Sequence, residues 1–361
     1  MKSFVVNKSD LIFNIQKIKE MANGSRVIAV LKGYGYGLGI CEFASLLRDN
    51  GIDFFAVSEL DEAVVLRNAG FEEEILLLTA TSDETEISLA LDNNVTLAVG
   101  SFGCMENVDR LAGEKGLKAK AHIKIDTGFG RFGFLPGDAK NVCDMAKEKA
   151  NISFEGIFSH FSFSFSPDRK DVQLQFDRFK DCLEVFKENG MSLMAHICNS
   201  CAFLQYRDMH LGAVRVGSAF LGRLPLVNNY GLKRIGHLKS NVVEVRNIPK
   251  GYYVGYANTY KTKRETTIAI VPVGYKDGFG VEKSKDTFRL NDVLRYMFTD
   301  FKSFGKKLSV SVNGKTANII GRVSMYNIVL DVTGMDIKVG DECVLNANPI
   351  LVSRDIMREY I

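Results

Sequence analysis

Residues 27–39 have the sequence VIAVLKGYGYGLG, in which five apolar residues lead to Lys32 and a glycine-rich turn follows. The apolar run has the length of a buried strand, and glycines cluster where such a strand would end. Alternation along that strand would place Lys32 on the same face as Val30. A lone ammonium group there is costly unless something uses it. One use is a Schiff base, in which a desolvated lysine amine condenses with a carbonyl compound; the alternative is a lysine that extends to solvent.

Seven further apolar runs with strand character follow, separated by segments with apolar residues at helical spacing. Strand and helix alternating eight times over roughly 200 residues is typical of a (β/α)8 barrel of the TIM type. An open, doubly wound sheet is the alternative, because periodicity cannot reveal closure, but the count of eight favours the barrel. We predict an α/β domain over residues 1–235, with strands at Val27–Lys32, Phe54–Val57, Ile75–Thr79, Thr96–Val99, Ala121–Asp126, Phe154–His160, Leu193–Cys198 and Ala213–Gly217.

The pattern changes at about Gly236, where short β-branched runs with turns between them replace the alternation of strand and helix. Asn313-Gly314 between two such runs is a strong signal for a β-hairpin. We predict a separate all-β domain over residues 236–361, with strands at 242–245, 266–271, 308–312, 328–332 and 342–345.

Composition narrows the classes of protein that remain. The net charge of +3 over 361 residues is too small to argue for nucleic-acid binding. Seven cysteines, an odd number scattered along the chain, indicate reduced thiols and a cytoplasmic protein. No apolar segment has the length of a membrane span, and the start lacks the core of a signal peptide. We expect no nucleic-acid or membrane partner and no metal, since the Cys198–Cys201 pair has no second pair to complete a zinc site.

Polar residues collect at the predicted carboxyl ends of the strands, where barrels of this kind carry their chemistry. In the fifth strand, alternation places His122, Lys124 and Asp126 on one face, and Arg131 follows in the next loop. Loops after strands seven and eight commonly bind phosphate, which suits the hydroxyl of Ser200 and the flexible backbone at Gly217-Ser218. The remaining strand ends contribute Ser159-His160, His196, Asn199 and Arg215.

With these residues in hand, the chain resembles the alanine racemase family, enzymes that use pyridoxal 5′-phosphate (PLP) and combine a barrel with a C-terminal β domain. The resemblance extends over nearly the whole length. It rests on seven separated motifs in the family's order: 29–32 with Tyr36-Gly37, 124–131, His196 with Asn199-Ser200, Arg215 with Gly217, Gly255-Tyr256 with Thr259-Tyr260, 272–275 with Asp277-Gly278, and 321–323 with Met325.

The resemblance implies specific roles. Lys32 would form the Schiff base and act as a base on one face of a small amino acid, and Tyr256 from the partner subunit of a homodimer would act on the other. Arg215 would bind the pyridine nitrogen, and Lys124 would be a carbamylated lysine that orients Arg131. The predicted cofactor-binding set is Lys32, Tyr36, His160, His196, Asn199, Ser200, Arg215, Gly217 and Ser218, and the substrate-binding set is Arg131, Met325 and Tyr275.

Several positions depart from the family's usual pattern. Gly33-Tyr34-Gly35 replaces a polar pair, Leu38 replaces a histidine, Tyr326 stands for an aspartate and Ser353 for a tyrosine. The expected activity is interconversion of L- and D-alanine, which supplies D-amino acid for cell-wall peptidoglycan, with serine as the alternative substrate. Two further hypotheses are a decarboxylase of the same architecture and a non-catalytic protein that binds PLP.

Overall fold

The computed structural model describes residues 2–306 and 308–361, and the chain divides into two compact units. One unit is Lys8–Ile235, and the other combines Gly236–Ile361 with the N-terminal segment that ends at Asn7. The predicted boundary includes residues 1–7 in the barrel domain, whereas β1 (Ser3–Val6) pairs with two strands of the C-terminal unit. A strand of four residues with three apolar side chains carries no information about which sheet it joins, so the sequence could not assign it.

The first unit is the predicted barrel. Its eight parallel strands have the order β4-β3-β2-β9-β8-β7-β6-β5, and a bridge between Leu76 and Thr96 joins the two ends of that series. Both faces of these strands are covered, which explains why they appear in the sequence as continuous apolar runs. The strands are β2 (Arg26–Val30), β3 (Phe54–Val57), β4 (Glu74–Leu77), β5 (Leu97–Val99), β6 (Ala119–Lys124), β7 (Ile152–Phe158), β8 (Met194–His196) and β9 (Ala213–Val216).

Helices surround the strands and bury one face each. In the longest of them, residues Val172, Phe176 and Phe179 are buried at spacings of four and three, the period of an amphipathic helix. At several helix starts a side chain accepts a hydrogen bond from a backbone N–H group. For example, the Ser101 hydroxyl accepts the N–H of Cys104 at the start of one helix. The helices are α1 (Lys8–Ala22), the short turn α2 (Lys32–Tyr36), α3 (Ile40–Asp49), α4 (Leu60–Asn68), α5 (Glu84–Asp92), α6 (Phe102–Glu114), α7 (Ala139–Glu148), α8 (Lys170–Glu188) and α9 (Ser200–Gln205).

The second unit is built on a nine-stranded sheet with the order β11-β14-β17-β16-β15-β18-β10-β1-β19, and a two-stranded hairpin accompanies it. Asn313 and Gly314 form the predicted hairpin turn, and both have positive φ, as a type I′ turn requires. The strands are β10 (His237–Asn241), β11 (Glu244–Ile248), β12 (Tyr253–Val254), β13 (Tyr260–Lys261), β14 (Thr266–Val271), β15 (Ser309–Val312), β16 (Lys315–Ile319), β17 (Ile328–Asp331), β18 (Glu342–Leu345) and β19 (Met357–Tyr360).

One helix, α10 (Leu290–Ser303), interrupts this β unit and was not predicted. Its apolar residues Leu290, Leu294, Met297 and Phe301 recur at spacings of four, three and four, a helical period within a region otherwise rich in β-branched residues. All four are exposed. Over residues 2–306 and 308–361, no helix is long and apolar enough to cross a membrane.

Candidate active site

Lys32 begins a left-handed turn at the end of β2. The strand ends at Val30, two residues earlier than predicted, and residues 33 to 36 have φ angles of 66°, 56°, 67° and 52°. Gly33 and Gly35 adopt positive φ freely, but Tyr34 and Tyr36 each cost about 1–2 kcal/mol in this conformation. Hydrogen bonds close the turn, from Gly35 N to Leu31 O at 2.6 Å and from Gly37 N to Gly33 O at 3.0 Å. The turn therefore fixes Lys32 and Tyr36 in a strained local geometry.

Tyr36, at the far end of this turn, lies against the loop that follows β9. A Cβ atom at Gly217 would be 2.5 Å from the Tyr36 hydroxyl, so only glycine fits there. The Gly217 and Ala219 N–H groups donate to Ser200 Oγ at 3.0 and 3.3 Å, which orders the loop around a buried serine hydroxyl. Burial raises the pKa of Tyr36 above its ordinary value, so its hydroxyl stays protonated. Hydroxyl groups and closely approaching backbone form a set of donors suited to a phosphate.

Arg215 is the central cation of the barrel interior. It lies on β9 beside β2, is 2% exposed, and donates to the backbone oxygens of Ser159, His196 and Ile197 at 2.6, 3.1 and 3.2 Å. It also contacts the Nδ1 atoms of His196 and His160 at 2.7 and 3.2 Å. Burial lowers the pKa of Arg215 to about 10, which still leaves the guanidinium charged at neutral pH. A buried cation with this many partners is held in one position.

The contact with Arg215 determines the protonation of two buried histidines. A guanidinium only donates, so His196 Nδ1 must accept, and the proton of a neutral His196 lies on Nε2. That atom is 2.9 Å from His122 Nδ1, which places the proton of a neutral His122 on its own Nε2. Burial and then the charge of Arg215 lower the pKa of His122 to about 3 and that of His196 well below its ordinary value. Both histidines thus support Arg215 as neutral groups.

Lys124 ends β6 with its ammonium group directed at the backbone. It is 7% exposed, and its Nζ donates to Leu78 O at 2.6 Å. Burial, followed by the charges of Arg215 and Arg131, lowers the pKa of Lys124 to about 7. An amine with this pKa is partly neutral at physiological pH and is able to act as a nucleophile.

Asp126 organises the loop that carries Arg131. Its two carboxylate oxygens accept the N–H groups of residues 128 to 131 at 2.8 to 3.1 Å. Arg131 itself is exposed, with its guanidinium 4.4 Å from the centre of the Phe129 ring. Lys124, Arg131, Ser159 and His160 line a single small cleft, so the structure brings these predicted residues together.

Two other predicted cofactor-binding residues differ in their local roles. The Asn199 side chain caps α9 by accepting the N–H groups of Cys201 and Ala202, both at 3.1 Å, and it accepts a hydrogen bond from Ser164. Those contacts make it a support for the Ser200 loop. Ser218 is half-buried in the loop after β9, next to Gly217.

Three predicted residues lie in the C-terminal unit. Tyr256 is 72% exposed and follows Gly255, at which a Cβ would be 3.3 Å from Arg322 N. The N–H of Tyr275 donates to Ser324 O at 3.1 Å, and a Cβ at Gly274 would be 2.3 Å from Met325 O. The segments that carry Tyr275 and Met325 are therefore packed together, while Tyr256 presents its phenol to solvent.

The amino-acid sequence matches two family descriptions, "Alanine racemase, N-terminal domain" over residues 6–225 and "Alanine racemase, C-terminal domain" over residues 235–354. The chain belongs to the alanine racemase family. The alanine racemase of Clostridium tetani is 33% identical over 348 residues, covering 94% of this chain and 84% of that protein. The alanine racemase of Methanococcus maripaludis is 32% identical, covering 91% and 84%.

Solved alanine racemase structures have the same fold. The enzyme of Clostridium difficile 630 has a TM-score of 0.88 and 26% identity, covering all of this chain and 95% of that one. The alanine racemase of E. faecalis has a TM-score of 0.84 and 27% identity, covering 100% and 98%. As a member of the alanine racemase family this protein is an isomerase, and its barrel and C-terminal β unit are those of the family.

The departures from the usual family pattern have structural explanations in two cases. Gly33 and Gly35 both have positive φ, which suits the left-handed turn, and Leu38 is completely buried, where an imidazole would need a partner. Tyr326 is exposed beside Met325. The Ser353 N–H group lies 3.4 Å from Asp277 O, and the Ser353 hydroxyl accepts the N–H of Asp355 at 3.4 Å in a local turn.

Sequence reasoning missed Glu62, which has a direct contact with the Lys32 turn. Its carboxylate accepts the N–H of Tyr34 at 2.9 Å. In the sequence Glu62 resembles an ordinary acidic residue in the first turn of a helix, which is why periodicity gave no signal for it.

Proposed function

We propose that this protein is a PLP-dependent racemase of a small amino acid, alanine first, that provides D-amino acid for cell-wall peptidoglycan. The observation that carries the proposal is the pairing of β2 with β9, which sets the Lys32 turn beside Arg215 and the Ser200–Gly217 loop. We place the enzyme in the cytoplasm, since all seven cysteines, each within the described residues, are free thiols.

The chemistry of these residues fits PLP. Ser200, Ser218, Tyr36 and the backbone at Gly217 would hold the phosphate, because hydroxyls and close backbone offer donors to its oxygens. Arg215 would hold the ring nitrogen, with His160 and His196 as neighbours in the barrel. When bound, PLP links to a lysine amine and delocalises the negative charge left at the substrate Cα.

Two residues would move the α-proton. A single base would have to cross the plane of the substrate, so two groups on opposite faces are the economical solution. Lys32 would hold or release the proton at Nζ on one face of the substrate. The Tyr256 hydroxyl would do the same on the opposite face. Tyr256 would come from the partner subunit of a homodimer, and its exposure of 72% is consistent with a residue that serves another chain.

Arg215 would control where the charge accumulates. A guanidinium with a pKa of about 10 donates a hydrogen bond to the ring nitrogen but hardly releases its proton at neutral pH. Arg215 would therefore leave the ring nitrogen without a full proton, which would limit side reactions such as transamination. The neutral histidines behind Arg215 keep the guanidinium aligned.

The substrate carboxylate would be bound by Arg131, with the backbone N–H of Met325 and the phenol of Tyr275 contributed by the partner. The loop geometry set by Asp126 fixes the backbone at Arg131, although its side chain is exposed. Lys124 would orient Arg131 after carbamylation, in which its neutral amine adds to CO2 and releases a proton. The pKa of about 7 supports this reaction because it leaves a neutral fraction of the amine.

The test incubates the purified, PLP-loaded protein with a panel of L-amino acids and separates the enantiomers by chiral chromatography. We expect D-alanine to form fastest and D-serine more slowly. Borohydride treatment of the loaded protein followed by peptide mass spectrometry is expected to give a phosphopyridoxyl adduct at Lys32. No D-amino acid from any member of the panel, or an adduct at another lysine, contradicts the proposal, and loss of CO2 from the substrate would indicate a decarboxylase.

A further inference from the structure

Glu62 is a buried carboxylate at the point where β3 gives way to α4. It is 3% exposed, and it lies in the first turn of α4. Burying a carboxylate is costly unless hydrogen bonds compensate it, so its partners show what keeps it there. Backbone N–H groups supply these hydrogen bonds.

The two oxygens of Glu62 join two strand ends. Oε1 accepts the N–H of Tyr34 at 2.9 Å, inside the left-handed turn that begins at Lys32. Oε2 accepts the N–H groups of Ser58 at 3.2 Å and Glu59 at 3.4 Å, directly after β3. Since β2 and β3 are neighbours in the barrel, the carboxylate ties the turn after one strand to the loop after the next.

The left-handed turn needs such an anchor. Tyr34 and Tyr36 are not glycines, and their positive φ angles are unfavourable without contacts that hold them. The N–H of Tyr34 lies near the start of the turn and donates to Glu62, which lies outside it. A charged acceptor makes a stronger hydrogen bond than a neutral one.

We propose that Glu62 is a positioning residue that holds the left-handed turn and so sets the places of Lys32 and Tyr36 in the active site. The catalytic part of this inference rests on the proposed function. Glu62 acts through its hydrogen bond with the Tyr34 N–H. Its negative charge also contributes, after burial and Cys201, to the raised pKa of Tyr36, which agrees with its closeness to the turn.

Two variants separate the contributions of the carboxylate. Glu62→Met keeps the length of the side chain but removes both acceptors. Glu62→Gln keeps one acceptor oxygen and turns the other into a donor that faces N–H groups, so its effect should be intermediate. Glu184→Gln is the control, because Glu184 is an exposed carboxylate on α8, outside β3, α4 and the turn.

The first measurement is amide hydrogen exchange of the cofactor-free protein, resolved at Tyr34 to Gly37. In Glu62→Met these amides should exchange faster than in the wild type, while the strands of the barrel keep their protection. Glu184→Gln should match the wild type. Faster exchange throughout the barrel would instead show a general structural role and overturn the proposal, as would unchanged exchange at the turn.

The second measurement is the kinetics of the PLP-loaded protein. Misplacing a catalytic group by about 1 Å can cost roughly 100-fold in rate, so we expect kcat of Glu62→Met to fall by about 10- to 100-fold. The KM for the amino acid should stay unchanged, because its carboxylate is bound elsewhere. The yield of borohydride-trapped adduct at Lys32 should fall with kcat, and Glu62→Gln should recover part of both.

If Glu62→Met does not fold, the exchange and kinetic measurements on Glu62→Gln decide the question. Wild-type values for that variant in both would contradict the proposal. Failure of the proposed function is recognised separately, since then the wild type itself makes no D-amino acid and no adduct at Lys32. Exchange at the turn still tests the role of Glu62 in that case.

Discussion

The ring of Tyr36 lies against the backbone of Gly217, so closely that a Cβ atom at position 217 would be 2.5 Å from the tyrosine hydroxyl. Neither partner can easily give way. Tyr36 is held by the left-handed turn after Lys32, and the Gly217 N–H donates to Ser200. The contact therefore couples the turn that carries the proposed Schiff-base lysine to the loop proposed to hold the phosphate.

Gly217→Ala should weaken PLP binding by forcing Tyr36 and the Ser200 loop apart. Overpacking a tight contact costs about 1–3 kcal/mol, which corresponds to roughly 5- to 150-fold in affinity. Titration of the cofactor-free variant with PLP measures the change. Gly103→Ala in α6 is the control, because a Cβ there meets nothing within 4 Å. Equal affinity of Gly217→Ala and wild type would show that the contact is not part of the phosphate site.

Lys124 should make the stability of the protein rise with pH. Its pKa is about 7 in the folded protein, against an ordinary 10.5, because of burial and the charges of Arg215 and Arg131. Between these two values the unfolded chain binds the extra proton, so the free energy of unfolding increases with pH in this window. Below about 7 the folded state bears the whole cost of the buried ammonium group.

Lys124→Met removes the titrating group, so the stability of the wild type relative to this variant should rise from pH of about 7 to about 10 and level off below 7. Urea denaturation across that range, in buffer free of CO2, measures it. A parallel dependence in both proteins would contradict the lowered pKa. Adding labelled bicarbonate should produce a carbamate signal in the wild type but not in Lys124→Met.

The barrel could be predicted from sequence because its parallel strands are buried on both faces. Residues such as Val27, Ile28 and Val30 are buried whichever face of the strand they lie on. Each strand therefore appears in the sequence as a continuous apolar run, unlike the helices, in which apolar and polar residues are mixed. The pairing of β1 with β10 and β19 could not be predicted, since it depends on contacts hundreds of residues away. Helix α10 was missed although its apolar period is visible, because β-branched runs dominate the region on both sides of it.

The residues of the candidate site also divide into those that the sequence predicts and those that it does not. Alternation along β6 correctly placed His122 and Lys124 inside the barrel, and Arg215 lies inward as predicted. The handedness of the turn after Lys32 was hidden, because Tyr34 and Tyr36 are residue types that seldom adopt positive φ. Only the family resemblance predicts roles for Tyr256, Tyr275 and Met325, since an exposed side chain on a loop leaves no periodic signal in the sequence.

Asp126→Asn should loosen the loop that carries Arg131. Burial raises the pKa of Asp126, but four backbone N–H groups outweigh it and hold the pKa below its ordinary value. The amide of asparagine has one acceptor atom in place of two, so N–H groups of the loop lose a partner at about 1–3 kcal/mol. We expect KM for the amino acid to rise by roughly tenfold, with a smaller change in kcat.

The control for this loop is Asp144→Asn, an exposed carboxylate on α7 paired with Lys140. It should leave KM unchanged. Asp126 stabilises the folded protein above its ordinary pKa of 3.8, and this stabilisation is lost as pH falls through the lower pKa of the folded state. Because Asp126→Asn lacks this stabilisation, its acid unfolding should begin at higher pH than that of the wild type. An unaltered KM in Asp126→Asn would exclude a role for this loop in substrate binding.

Tyr256→Phe should stop racemisation while leaving the cofactor bound. Removing a positioned general acid or base typically costs about 10²- to 10⁴-fold in rate, and the phenol is absent from the proposed phosphate site. Lys32 would still serve one face of the substrate. In D2O, one enantiomer should therefore exchange its α-hydrogen for deuterium without inversion, while the other exchanges far more slowly. Tyr253→Phe, which removes another exposed phenol of the same unit, should retain full racemisation. Exchange of both enantiomers at equal rates in Tyr256→Phe would place the second base at a different residue.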